Sequence, residues 1–205
     1  RAGISVVDMG TGMWCAIGIL AALNRRHESG KGGVIDASLF ETALAWTTYY
    51  NADVQVTGVA PQRHGSGVRG IMPYQAYDCA DGYLVVAASN DRLFANLAAE
   101  LDHPEWLDDP RFVDNPARSG HREELNELLM PIFKAQPRAY WQERLDEAGV
   151  PNAPIQHAGE VIAHPQTQAL GMLQDTGEGM KLTGLPLSFD GERPALRNIA
   201  PDLKE

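Results

Sequence analysis

The chain reads as an α/β protein with a small α+β domain set into it, and three observations predict this. Two short apolar runs, Ile4 to Val7 and Val34 to Ala37, read as buried strands, each followed by helical periodicity. Between residues 71 and 158 a hairpin signal and several amphipathic helices hold enough apolar residues for a core of their own. Gly- and Pro-rich segments flank that stretch, Gly58 to Gly70 on one side and Val150 to Ile155 on the other, and each suits a crossing. The expected plan is a large-domain part over 1–57, a linker over 58–70, the small domain over 71–158, and a return to the large domain over 159–205.

The elements follow in order. After the first run, Asp8 to Met13 is expected to make a turn into a helix from about Met9 to Glu28, closed by Gly30. Small residues at Gly18, Ala21 and Ala22 beside Ile17, Ile19, Leu20 and Leu23 suit a helix packed on several sides. Gly32-Gly33 turns into the second strand, and Ser38 caps a second helix to about Asn51. Tyr74 to Cys79 and Tyr83 to Ala88 read as strands joined at Ala80-Asp81-Gly82. Asn90 or Asp91 then caps a helix through Leu101. Glu123 to Lys134 and Arg138 to Ala148 form two more, with Pro137 opening the last. Val150 to Ile155 leaves as an extended crossing, residues 159–170 are helical, and the tail from Met172 to Asn198 reads as short strands and turns.

Composition narrows the function classes. The 205 residues are 44% hydrophobic with a mean hydropathy of -0.27, ordinary for a globular domain. A formal net charge of -10 argues against nucleic acid and anionic membranes, which both favour a basic face. The longest apolar run, Met13 to Leu23, is about half of what a bilayer crossing needs. Cys15 and Cys79 lack metal-ligand spacing and read as reduced thiols of a cytoplasmic protein. Asp108, Asp109 and Asp114 lack calcium-loop spacing, so no metal site is expected. The histidines at 27, 103, 121, 157 and 164 are scattered, without a Ser or Cys partner in a triad arrangement, and read as surface residues.

Asp8 stands out because it lies where the first β-branched run becomes a helix. A carboxylate there sits beside the unpaired N–H groups and the positive dipole end of a helix, a setting that favours negative charge. Its ordinary use is as an N-cap. Its neighbours Gly10 and Gly12 suggest a second use, since they bare the backbone for the close approach of a bulky substrate.

The residues around Asp8 carry a family resemblance. Asp8-Met9-Gly10-Thr11-Gly12-Met13, Ile17 to Leu23, Arg26 and Gly30 to Asp36 resemble the class III CoA-transferases of the CaiB/BaiF type. The likeness continues through Ser38 to Ala43, Pro73 to Tyr77 with Asp81-Gly82, Asp109 to Phe112, Asn115 and Arg118. The family holds formyl-CoA, carnitine and dicarboxylate transferases, and α-methylacyl-CoA racemases share its fold. The resemblance implies that the outer parts belong to an incomplete nucleotide-binding-type large domain, with an N-terminal half preceding these residues. It implies Asp8 as the nucleophile, an acyl-CoA and a small carboxylic acid as substrates, and no permanently bound cofactor. It also implies an interlocked homodimer. No CoA-binding residue is singled out, because most contacts with CoA in the family lie in that N-terminal half.

His64-Gly65-Ser66-Gly67 stands where formyl-CoA transferases have a glycine-rich loop over the active site, although Ser66 interrupts the glycines. Gly65, Ser66 and Gly67 are therefore expected in a substrate loop, against the alternative of an interdomain linker. Amides of Met9, Gly10 and Thr11 are expected as oxyanion donors, and Asp36 as a structural hydrogen-bond acceptor. Two other readings stay open: acid/base epimerisation by a racemase, with its histidine upstream of Arg1, and a non-catalytic interaction module in which Asp8 is only a cap.

Overall fold

The computed structural model describes residues 3–177 and 179–197 and divides into two compact units, Arg1–Arg63 and His64–Glu205.

The first unit holds three helices: α1 (Val6–Ser29), α2 (Leu39–Trp46) and α3 (Thr48–Thr57). The expected strand Ile4 to Val7 is not formed; Val6 and Val7 are the first residues of α1. A four-residue apolar run has no periodicity that separates strand from helix. With no strand beside it among the described residues, only the helix pairs its backbone. The helix ends as expected, at Gly30 in the left-handed region (φ 66°), whose N–H donates to Arg26 O. Val34 to Ala37 is likewise not a strand: it runs along α1, with Ile35 placed where Gly18 leaves room.

Ser38 caps α2 as expected, its Oγ accepting from Glu41 N at 3.1 Å. The expected single helix from Ser38 to Asn51 instead breaks at Thr47. The Thr47 hydroxyl lies 3.0 Å from Ala43 O and 3.1 Å from Leu44 O, and Asn51 Nδ2 donates to Leu44 O at 3.0 Å. These side chains compete with the ladder and divide the helix in two.

Most of α1 is uncovered. Met9, Met13, Ile17 and Leu20 are each more than half exposed. The composition reading also needs correction here: among the described residues, α1 is by length and composition long and apolar enough to cross a bilayer. The run Met13 to Leu23 understated it because Gly10, Thr11 and Gly12 carry the weakly apolar stretch on to Met9, Val7 and Val6.

The second unit carries a three-stranded antiparallel sheet in the order β1 (Tyr74–Cys79), β2 (Gly82–Ala87), β3 (Asn152–Pro154). Tyr74 pairs with Ala87 and Cys79 with Gly82 across the hairpin, so alternation sends Gln75, Tyr77 and Cys79 inward from β1. The helices α4 (Asp91–Glu100), α5 (Asn115–Gly120), α6 (Arg122–Lys134) and α7 (Arg138–Glu147) complete the core with a short 3-10 turn at Pro104–Leu107. Asn90, not Asp91, caps α4 through its side chain. Pro137 is the N-cap of α7 rather than its first helical residue. Val150 to Ile155 is not an exit: Asn152–Pro154 is the third strand, with Ala153 opposite Val85.

Phe133 of α6 stacks on Tyr77 with centroids 4.7 Å apart and meets Trp141 edge-on at 5.2 Å. Arg118 is fully buried and serves as a polar strut, donating to Met72 O, Phe112 O and Asp91 Oδ1 while its guanidinium covers the Phe94 ring. The tail follows as α8 (Ala158–Ala163), α9 (Pro165–Ala169), β4 (Leu173–Asp175) and β5 (Lys181–Thr183), the two strands antiparallel. His157 and His164 are the N-caps of α8 and α9, through Nδ1. Asn198, the expected end of the tail strands, lies outside the described residues.

Candidate active site

Asp8 is the third residue of α1, one turn deeper than a capping residue. Ser5 holds the N-cap position and makes no side-chain cap bond. The helix begins earlier than the periodicity suggested, and that shift removes the capping role from Asp8. Its side chain is exposed, and among the described residues it accepts no hydrogen bond and forms no ion pair. Among the described residues the fold makes no structural use of this carboxylate.

The surroundings of Asp8 are set by the packing of α2 on α1. The Thr11 hydroxyl lies 2.8 Å from Val7 O and 2.8 Å from Thr42 Oγ1. The buried Thr42 donates in turn to Ser38 O at 3.0 Å. This chain ties the first turn of α1, next to Asp8, to the first turn of α2. Gly10 does not bare the backbone as expected. It is buried under Trp46 of α2, and a Cβ there would stand 2.3 Å from the indole. Gly12 does remain open: a Cβ at that position would meet nothing within 4 Å. Residues four apart share a helix face, so the surface one turn beyond Asp8 is bare.

The expected oxyanion donors change as well. Met9 N donates to Ser5 O at 3.0 Å, and Gly10 and Thr11 lie within the helical ladder, so these three amides are already used. Val6 N donates to Ile4 O at 2.9 Å. Among the described residues, the Val7 and Asp8 amides are the first-turn donors with no i−4 partner.

Beside the junction of α1 and α2 lies an open groove of about 280 Å³, lined by Trp14, Asp36, Ser38, Glu41 and Thr42 among others. Glu41 Oε2 receives the Ser38 hydroxyl at 2.7 Å. Asp36, expected as a structural acceptor, is exposed and accepts no hydrogen bond among the described residues. The groove is acidic and holds no basic side chain for a phosphate. Among the described residues no cluster of three metal-ligating side chains forms.

Gly65, Ser66 and Gly67 belong to the second unit. Gly65 takes a positive φ of 59°, and Gly67 N closes the turn on His64 O at 2.8 Å. The loop then covers the free edge of β1: Ala76 N donates to Ser66 Oγ at 3.0 Å and Val68 N to Tyr74 O at 3.0 Å. Ser66 interrupts the glycines because its hydroxyl satisfies an edge amide that no strand pairs.

Arg122 at the start of α6 holds the same segment, its Nη2 lying 2.7 Å from both Val68 O and Ile71 O. Nothing in the spacing marked Arg122. Gln75 did carry a signal, as a polar residue on the inward face of a strand that must find a partner. It donates to Asn126 Oδ1 at 2.8 Å, and the Tyr77 hydroxyl reaches the same atom at 3.3 Å. Burial pushes the Tyr77 phenol up, so it stays a neutral donor.

Comparison with known proteins gives the family and the fold. The family model described as CoA-transferase family III matches residues 1–205. An acyl-CoA transferase of Fusarium pseudograminearum is 38% identical over 209 residues, covering 99% of this chain and 46% of that protein. The acetyl-CoA:oxalate CoA-transferase of Acetobacter aceti is 34% identical, covering 99% of this chain and 52% of its own length. The crystal structure of a CaiB/BaiF family protein from Brucella suis superposes with a TM-score of 0.84 at 32% identity, covering 99% of this chain and 53% of that one. The chain spans about half the length of the curated relatives it matches.

Proposed function

Because the chain belongs to CoA-transferase family III, we propose that the protein moves CoA from an acyl-CoA donor to a carboxylic acid acceptor, with Asp8 as nucleophile. The observation that carries this reading is the Asp8 carboxylate itself, exposed in the first turn of α1 with no structural partner among the described residues. A carboxylate that only capped a helix would be bonded to it.

The chemistry follows from splitting one difficult exchange into easier ones. A free carboxylate attacks a thioester poorly in water, and the anhydride it would form hydrolyses. Asp8 attacks the donor carbonyl carbon, forming a mixed anhydride and expelling CoA thiolate. The thiolate attacks the Asp8 carbonyl, releasing the donor acid and leaving an aspartyl-CoA thioester. The acceptor carboxylate attacks that carbonyl, giving a second anhydride and thiolate. The thiolate then takes the acceptor acyl group and frees Asp8. Each tetrahedral intermediate places negative charge on oxygen, and the Val7 and Asp8 amides with the positive end of α1 suit that charge. CoA enters and leaves as substrate.

Gly65, Ser66 and Gly67 belong, in the same proposal, to a loop that keeps water from the anhydride. The proposal also takes the domain plan of 1–57, 58–70, 71–158 and 159–205 and an interlocked homodimer. The exposed apolar face of α1 supports a second subunit.

The test is to incubate the protein with acetyl-CoA or succinyl-CoA and with oxalate or glutarate, and to follow formation of the acceptor's CoA ester. Transfer that needs the acceptor and is lost in Asp8→Ala supports the reading. Scrambling of an α-methyl centre without an acceptor marks the racemase instead, and neither activity marks a binding module.

A further inference from the structure

We propose that Thr42 is a positioning residue for the transfer reaction, acting through Thr11 on the peptide unit that joins Val7 to Asp8. This rests on the transferase reading above and adds two residues to it.

Thr42 stands on the first turn of α2 and is 3% exposed, the most deeply buried polar side chain among the described residues of the first unit. A hydroxyl taken out of water has to find its partners within the protein. Thr42 meets the Thr11 hydroxyl at 2.8 Å and Ser38 O at 3.0 Å, and Thr11 in turn lies 2.8 Å from Val7 O. Two hydroxyl protons serve these three contacts, and a hydroxyl hydrogen rotates to suit its neighbours. In one arrangement Thr11 donates to Thr42 and Thr42 donates to Ser38 O. In the other Thr42 donates to Thr11, and Thr11 donates to Val7 O.

The second arrangement bears on the chemistry. Val7 O and Asp8 N belong to one planar peptide unit, and Asp8 N is a first-turn donor with no i−4 partner among the described residues. A hydrogen bond received at the carbonyl polarises the N–H at the other end of the same unit. It also holds the plane from which the Asp8 side chain starts. When the Asp8 carboxylate attacks a thioester carbonyl carbon, a C–O bond forms and an electron pair moves onto the carbonyl oxygen. Collapse then breaks the C–S bond and releases CoA thiolate. An amide held and polarised beforehand stabilises that oxygen without reorganising. Trp46, one turn beyond Thr42 on the same face of α2, covers Gly10, where a Cβ would stand 2.3 Å from the indole. Thr42 therefore cannot draw back from Thr11 without opening that contact.

The experiment uses Thr42→Val, Thr42→Ser, Thr11→Val and the Thr11→Val/Thr42→Val double variant in the whole protein, with acetyl-CoA and oxalate. Oxalyl-CoA formation gives kcat and KM. Iodoacetamide labelling of the half-buried Cys15, one turn beyond Thr11, reads whether α1 has loosened. Thr42→Val keeps the shape and removes the hydroxyl. It should lower kcat about tenfold, less than the roughly hundredfold of deleting an oxyanion donor outright. KM and the rate of Cys15 labelling should stay as they were, as for an interaction that acts in the transition state alone. Thr42→Ser should restore most of the rate, and the double variant should be no slower than Thr11→Val. An unchanged kcat in Thr42→Val, an equal loss in Thr42→Ser, a loss carried by KM, or a loss matched by faster Cys15 labelling overturns the positioning role while the transferase reading stands. If Thr42→Val does not fold, the same readouts on Thr11→Val, at a half-buried position, decide the matter. Native protein with no Asp8-dependent transfer overturns that reading, and this one with it.

Discussion

Trp46 lies against Gly10 so closely that a Cβ at residue 10 would stand 2.3 Å from its Cη2 and 2.4 Å from its Cζ2. The contact seats α2 on α1 beside Asp8, at the same junction as the Thr11–Thr42 hydrogen bond. A glycine mid-helix usually costs stability, and this one is kept for what packs on it.

Two alanine substitutions in one helix should therefore have opposite signs. Gly12→Ala meets nothing within 4 Å and should stabilise by about 0.5–1 kcal/mol through reduced chain entropy. Gly10→Ala gains the same term but must displace an indole, and overpacking costs about 1–3 kcal/mol. A net loss is expected in urea unfolding, with Trp46→Ala relieving it. Equal effects at the two positions would show that Trp46 swings aside freely.

Arg118 predicts a contrast between two partners. Arg118→Met leaves Met72 O and Phe112 O without their donor in a buried site, a loss of about 3 kcal/mol or more. Asp91 is exposed, so Asp91→Asn should cost under about 1 kcal/mol. Thermal unfolding of both variants separates the buried carbonyls from the ion pair as the source of stability.

Cys79 gives a pH dependence with a definite sign. Burial, and then the Asp81 and Asp78 carboxylates, push its thiol up to about 11. A thiol raised in the folded state contributes stability that is whole below its ordinary value near 9 and declines as pH rises toward 11. Unfolding midpoints between those values should fall, and Cys79→Ala should flatten that slope. In native protein at pH 8, iodoacetamide should label the half-buried Cys15 and spare Cys79.

What the sequence made legible differs between the two units for a physical reason. In the second unit local signals and tertiary packing agree: the strand Tyr74 to Cys79 forms as expected, the hairpin turns within Ala80-Asp81-Gly82 with Gly82 already in the second strand, and Asn90, one of the two expected candidates, caps α4. In the first unit short apolar runs were assigned as strands, yet none forms among the described residues. Val6 and Val7 became the first residues of α1, while Val34 to Ala37 forms neither helix nor strand. Asp8 was visible through its motif, but its lack of a capping role followed from a three-residue shift of the helix start that periodicity could not resolve. Arg122 was not legible at all. Its partners are backbone carbonyls more than fifty residues away, and carbonyls carry no sequence signature.

On the proposed route the Asp8 carboxylate becomes covalently bound to CoA. Replacing it removes no hydrogen bond among the described residues, so Asp8→Ala should cost at most the helix-dipole contribution, about 1 kcal/mol or less, and remain folded. The direct measurement is to mix the protein with acetyl-CoA, quench it in acid, digest it and weigh the peptide that carries residue 8. A CoA adduct is expected on that peptide, mapped to Asp8, discharged by an acceptor acid and missing from Asp8→Ala. An adduct on another residue, or acceptor-dependent transfer that survives in Asp8→Ala, would contradict it.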